Sequence, residues 1–271
     1  MKRGTFTMNS HDGKTKLHGV TWEPEGEARA VVQIVHGMIE YIERYDGFAS
    51  YLAERGYFVI GHDHLGHGES AASQDDWGFF EEENGNRVLL EDIHQVRRRA
   101  QERYPDAPYI LLGHSMGSFL VRQYLCIKGE GICEAVILGT GNMPASLLRF
   151  GMFVTSTMAA VDTYRSEPKT SFDFTLNGYY NLFYSMLWLK KEEHLRRMRK
   201  DLPVLFASGT ADPVGSYGKG VEAAAESFRA HGVTHVDVKL YPADRHEILN
   251  ELDRQQVYED LWRWMEENRI P

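Results

Sequence analysis

A serine hydroxyl attacks a carbonyl only when a general base takes its proton, and the base needs an acid to fix its tautomer. Three stretches of this chain supply such a set. Gly113-His114-Ser115-Met116-Gly117 follows an apolar run and precedes the amphipathic stretch through Phe119, Leu120 and Tyr124. A Gly-x-Ser-x-Gly turn between a strand and a helix holds its serine on a strained elbow with the hydroxyl exposed, so Ser115 is the candidate nucleophile. Alone, the pentapeptide could be only a glycine-rich turn. Asp212 lies just after the buried run Val204 to Ala207, and His246 lies just after the alternating run Val236, Val238, Leu240. Both therefore fall at strand C-terminal ends, where open α/β sheets place their sites. Asp212 before Pro213 could equally be a turn aspartate. Asp244 is a rival acid, but its nearness to His246 in sequence makes the required approach to the imidazole awkward.

Attack on an acyl carbon creates an oxyanion, which needs N–H donors fixed in advance, each worth ~3 to 4 kcal/mol of barrier. Met116, just after the serine at a helix N-terminus, supplies one candidate donor, and Met38, after His36-Gly37 in the first strand-to-helix loop, the other. The alternative for His36-Gly37 is a structural turn. Asp63-His64-Leu65-Gly66-His67-Gly68-Glu69-Ser70 carries two histidines and two acids and invites a metal reading. Spacing alone is weak evidence for a metal, and the glycines argue for a tight loop beside the oxyanion strand.

These residues need a scaffold of strands whose ends converge. Thr5–Met8 and Leu17–Trp22 flank His11-Asp12-Gly13-Lys14, an edge hairpin signal. Ala30–His36, Tyr57–Gly61, Ile110–Leu112, Ala135–Leu138 and Val204–Ala207 are short, mostly apolar runs, as expected of strands covered on both faces. Between them stand helical stripes: Tyr45, Phe48, Ala49, Leu52, Ala53, ended by Gly56, and Leu89, Ile93, Val96, Ala100, stopped by Pro105. A third stripe carries Val221, Ala224, Ala225 and Phe228, and a C-terminal one Val257, Leu261, Trp264 and Met265. Such alternation predicts a mostly parallel, doubly wound sheet, with the last strand near an edge. The alternation lapses between Leu138 and Val204, too long a gap for a crossover. The expected division is a core of residues 1–141 and 201–271 interrupted by a helical cap at 142–200, rich in Met, Phe, Tyr and Leu.

With 271 residues, 42% hydrophobic and 25% charged, the chain suits one large α/β core with an insertion. A net charge of −9 disfavours nucleic acid as a partner. The start lacks the apolar run of a signal peptide, which reads as cytoplasmic, and Cys126 and Cys133 are expected as reduced thiols. No apolar run reaches a membrane span; the charge-free stretch from Phe150 to Val161 is expected on the cap's outer face, making transient contact with lipid. Oligomeric state is not legible.

The motifs together resemble the monoacylglycerol lipase and lysophospholipase-like branch of the α/β-hydrolases. The likeness spans nearly the whole chain: His36-Gly37-Met38-Ile39-Glu40 with Arg44-Tyr45, the Asp63 to Ser70 run, the serine elbow, and His246-Glu247-Ile248-Leu249-Asn250-Glu251. It implies an α/β-hydrolase fold with an inserted helical cap and no cofactor or metal. It also implies a triad of Ser115, Asp212 and His246 and an oxyanion hole from the N–H groups of Met38 and Met116. The implied substrate is a small-molecule ester of the monoacylglycerol or lysophospholipid kind; an aminopeptidase or thioesterase on the same machinery, or a ligand-binding protein on an inactive scaffold, are the alternatives. Tyr41-Ile42 stand where better-known members carry His-Ser, and Ser118 stands where Gly is usual.

Overall fold

Alternate residues of each central strand feed opposite faces of one sheet, and that alternation builds two cores. The computed structural model describes residues 1–149, 151, 169 and 172–269. Its sheet comprises β1 (Lys2–Asn9), β2 (Lys16–Glu23), β3 (Ala30–Val35), β4 (Tyr57–His62), β5 (Tyr109–His114), β6 (Glu134–Leu138), β7 (Val204–Gly209) and β8 (Val236–Tyr241). Their order is β1-β2-β4-β3-β5-β6-β7-β8, antiparallel from β1 to β4 across β2 and parallel elsewhere. The hairpin is an edge, as its sequence implies, and so is β8, whose exposure alternates along the strand. The hairpin loop is longer than a two-residue turn: the Ser10 amide donates to Thr15 O at 2.9 Å, and only Gly13 takes a positive φ, of 77°.

One face of the sheet, through Val31, Leu111, Ile137 and Phe206, packs on α2 (Gly85–Arg103), α3 (Met116–Lys128) and α6 (Lys219–Ala230). The other, through Val32, Leu112, Val136 and Ala207, packs on α1 (Asp46–Ala53) and α7 (Arg254–Asn268). A side-chain period of two against helices of period 3.6 makes this layering the way to bury both faces. On α7 the buried stripe is Val257, Tyr258, Leu261 and Met265. Trp264 sits at its margin, half-buried, because its indole N–H reaches out to Asp237 Oδ2 at 2.8 Å.

Between β6 and β7 lie α4 (Leu176–Trp188) and the single turn α5 (Glu192–Leu195), with helical residues at 145–149. The α4 N-terminus is capped by Thr175, whose hydroxyl accepts from the Gly178 amide at 3.0 Å. Asn177 ties it to the 78–81 segment, accepting from Phe80 N at 3.0 Å and donating to Glu81 O at 2.6 Å. Apart from Gly151, the stretch 150–161 expected to meet lipid lies outside the described residues. Among the described residues no helix is long and apolar enough to cross a membrane. Both cysteines are free thiols.

Candidate active site

The turn from β5 into α3 is closed by backbone contact, which dictates its glycines. A Cβ on Gly117 would lie 2.0 Å from Val35 O, and one on Gly113 would lie 2.5 Å from Gly117 O. Between them Ser115 holds φ 51° and ψ −118°, a conformation that costs ~1 to 3 kcal/mol and persists only when its surroundings enforce it. The Ser115 amide donates to Leu138 O at 3.0 Å, and the Ser118 amide and hydroxyl both donate to Ser115 O, at 2.9 and 2.5 Å. Ser118 thus turns its hydroxyl onto the elbow's own backbone.

The three residues proposed for nucleophilic chemistry meet here, each from its own strand end. The Ser115 hydroxyl lies 2.8 Å from His246 Nε2, and His246 Nδ1 lies 3.0 Å from Asp212 Oδ2. A buried carboxylate at Nδ1 draws the ring proton there and leaves Nε2 as the acceptor for the serine. Asp212 also accepts from the Ser208 hydroxyl and the Val214 amide, both at 2.8 Å. Burial pushes its carboxyl up, but the bonds and charge of His246, with those two donors, outweigh burial and hold it below the usual range. Gly139 makes room for the imidazole: at φ 55°, a Cβ there would come within 3.0 Å of His246 Cε1. Asp244, the rival acid, is not bonded to His246: its carbonyl accepts from Ala211 N at 2.8 Å, and its Oδ2 has no protein partner among the described residues.

The loop after β3 is set against the serine. A Cβ on Gly37 would lie 2.9 Å from Ser115 Cβ. The Gly37 amide donates to the Glu40 carboxylate and the Ile39 amide to His67 Nε2 at 3.3 Å, with Ile39 at φ 56°. Met38 therefore stands between two engaged amides, and Met116 opens α3. Tyr41 and Ile42 part ways here: Ile42 is fully buried, its amide donating to Asp63 Oδ1 at 2.7 Å, while the Tyr41 ring has Lys169 Nζ 5.4 Å from its centroid.

Glu40 is the residue at this site to which the motif reading gave no role. Buried behind the site, it accepts from the Tyr45 hydroxyl and His114 Nδ1, both at 2.9 Å, besides the Gly37 amide. Nε2 of His114 reaches His246 O at 3.2 Å. One carboxylate thus joins the loop after β3, the elbow and the histidine loop. Burial pushes Glu40 up, yet the charge and bond of His114 bring it down to about 2; burial pushes His114 down, yet Glu40 raises it. A glutamate three residues past the His-Gly turn, in a run that reads as loop, was the available signal.

The Asp63 to Ser70 run folds as the tight loop its glycines imply. Asp63 accepts from the Ile42 and Glu69 amides, and the Ser70 hydroxyl donates to Asp63 O at 2.7 Å. Among the described residues no group of three or more metal-binding side chains could hold an ion. His36, His62, His64 and His67 are fully buried, and burial lowers all four, His36 to about 3 and His62 and His67 to about 4. Neither ring nitrogen of His62 has a protein partner among the described residues. Below pH 6.5 the unfolded chain protonates this residue while the folded chain resists down to about 4, so its contribution falls as pH falls. His62→Leu is expected to gain about 2 kcal/mol more at pH 5 than at pH 8. Urea unfolding at the two pH values measures this, and an equal effect at both would refute it.

Residues 26–148 and 142–253 match the serine aminopeptidase S33 family of hydrolases, and the chain belongs to that family. It is 28% identical to mouse (Mus musculus) monoglyceride lipase over 85% of this chain and 80% of that protein. It is 24% identical to the monoacylglycerol lipase of Mycolicibacterium smegmatis over 90% of both. A thermostable carboxyl esterase from Bacillus coagulans, solved with glycerol, superposes with a TM-score of 0.86 at 26% identity, covering both chains fully. The α/β-hydrolase fold expected from the motifs is the one observed, and the chain is a hydrolase of the carboxylic-ester-cleaving kind that these relatives' names describe.

Proposed function

We propose that this chain is a serine hydrolase that cleaves single-chain carboxylic esters, monoacylglycerols foremost and lysophospholipids next, through an acyl-enzyme on Ser115. The unbroken Ser115–His246–Asp212 hydrogen-bond chain at the C-terminal edge of the sheet carries the reading. Ser115 Oγ attacks the acyl carbon as His246 Nε2 takes its proton; the N–H groups of Met38 and Met116 receive the oxyanion. His246 then returns the proton to the leaving alcohol, and later draws one from water for deacylation. The mechanism requires no cofactor. Residues 142–200 act as the cap between core segments 1–141 and 201–271 and set the acyl chain accepted. They also make the transient lipid contact. A cytoplasmic setting fits the two free thiols.

The description of the matched family favours one second reading, an aminopeptidase, because acyl transfer does not by itself reveal the leaving group. A panel of monoacylglycerols, lysophospholipids, thioesters and aminoacyl amides separates the readings. The expected result is the highest kcat/KM on a monoacylglycerol. Faster cleavage of amides or thioesters would replace this proposal with the second reading or a thioesterase, and stoichiometric binding without turnover would make the chain a ligand-binding protein.

A further inference from the structure

A cleft of about 360 Å3 between α2, α3 and α4 stands apart from the Ser115 site. Its α3 lining, Gln123 to Lys128, lies about 12 to 20 Å along the helix from Ser115 at the helical rise per residue. The volume falls within the range of small-molecule sites. Eight large hydrophobic side chains are exposed among the described residues, and three of them, Ile127, Tyr180 and Tyr184, border this one cleft. The two tyrosines are a turn apart on α4 and, with Leu90, make an apolar wall.

The floor has little polar capacity to spare. Asn86 and Gln123 exchange side-chain hydrogen bonds at 3.1 and 2.8 Å, Ser185 donates to Gln123 at 3.0 Å, and Asn181 accepts from the Asn86 amide at 2.8 Å. Recognition of a polar head must come from the rim. There Lys128 is committed to Glu91 at 2.8 Å, whereas Arg87 has no ion pair among the described residues. An uncommitted guanidinium beside an apolar wall selects an anion with an apolar body. Arg87 also borders a groove lined by Asp12, Glu81, Glu82 and Glu83, whose charge disfavours a dianionic head more than a monoanionic one and leaves a carboxylate preferred over a phosphate monoester.

We propose that this cleft binds a medium-chain carboxylate, its tail along Tyr180 and Tyr184 and its head on Arg87. Binding here does not depend on the ester-cleavage reading; where that reading holds, the ligand is of the class the reaction releases. The test is calorimetric titration of decanoate into the Ser115→Ala protein. The expected result is saturable binding that weakens about tenfold in Arg87→Ala and about tenfold in Tyr184→Ala, with decanol bound about tenfold more weakly than decanoate. Binding that both variants leave unchanged would place decanoate elsewhere and overturn the proposal, as would decanol binding as tightly or no binding at all. In the chain retaining Ser115, Arg87→Ala keeps wild-type ester turnover, so a failure here is separable from a failure of the proposed activity.

Discussion

Asp212→Asn lowers kcat on the preferred ester by about 10⁴-fold while leaving the fold intact. The expectation comes from the proton on the imidazole. Asp212 Oδ2 lies 3.0 Å from His246 Nδ1 and, as a carboxylate, can only accept, so the ring proton sits on Nδ1 and Nε2 is open to the Ser115 hydroxyl 2.8 Å away. An asparagine that turns its amide N–H toward Nδ1 moves the proton to Nε2, where it blocks the serine. The same residue can still accept from the Val214 amide, now 2.8 Å from Oδ1, and Ser208 can reverse its hydroxyl, so the loop keeps its shape. Steady-state kinetics with a thermal melt separate the two effects. A loss of less than about tenfold would show that Asp212 does not set the tautomer, and Asp244→Asn, whose carboxylate is not bonded to His246, is the matched comparison.

Glu40→Gln destabilises the fold by about 3 to 5 kcal/mol at pH 6, because it removes the carboxylate that keeps the buried His114 protonated, and the pair's attraction and hydrogen bonds are lost together. Glu40 is held down to about 2, so its contribution is complete above the ordinary carboxylate range and is lost only as pH falls through about 2. His114 is raised, so its contribution is complete below 6.5 and is lost as pH rises through its folded value. The pair therefore acts at full strength near pH 6. Well above the raised value of His114 the cost of the substitution shrinks to about 1 to 3 kcal/mol, that of the hydrogen bonds from Gly37 and Tyr45. Urea unfolding at pH 6 and pH 10 makes the comparison, and an equal loss at both would mean that no ion pair is present. Because Glu40 holds the Gly37 amide beside Met38, kcat is expected to fall with stability.

The strand ends were readable because each combines an apolar run with a residue type that has few structural reasons to follow it: Ser115 between glycines, Asp212 after Ala207, His246 after Leu240. Sheet order and the two-faced core follow from the same runs, since strands covered on both sides leave little choice of layering. Glu40 was legible only as one letter of a motif. A carboxylate in a loop reads as solvated, and its burial arises from the parallel pairing of β3 with β5, which brings Gly37 and His114 to the same strand edge. Helix faces drifted where a polar tip could reach a partner: Tyr258 turns inward because its hydroxyl meets Leu249 O at 3.0 Å, and Trp264 turns outward to Asp237. The Tyr41-Ile42 departure divides into a core residue and a ring beside Lys169, a split that the spacing of two adjacent residues does not foretell.

The central claim, that Ser115 is the nucleophile, is tested most directly by reacting the protein with a fluorophosphonate and locating the adduct by peptide mass spectrometry. The account predicts one adduct, on the peptide bearing Ser115, with loss of ester hydrolysis in proportion to labelling and no adduct in Ser115→Ala. An adduct on another residue, or undiminished labelling of Ser115→Ala, would contradict it.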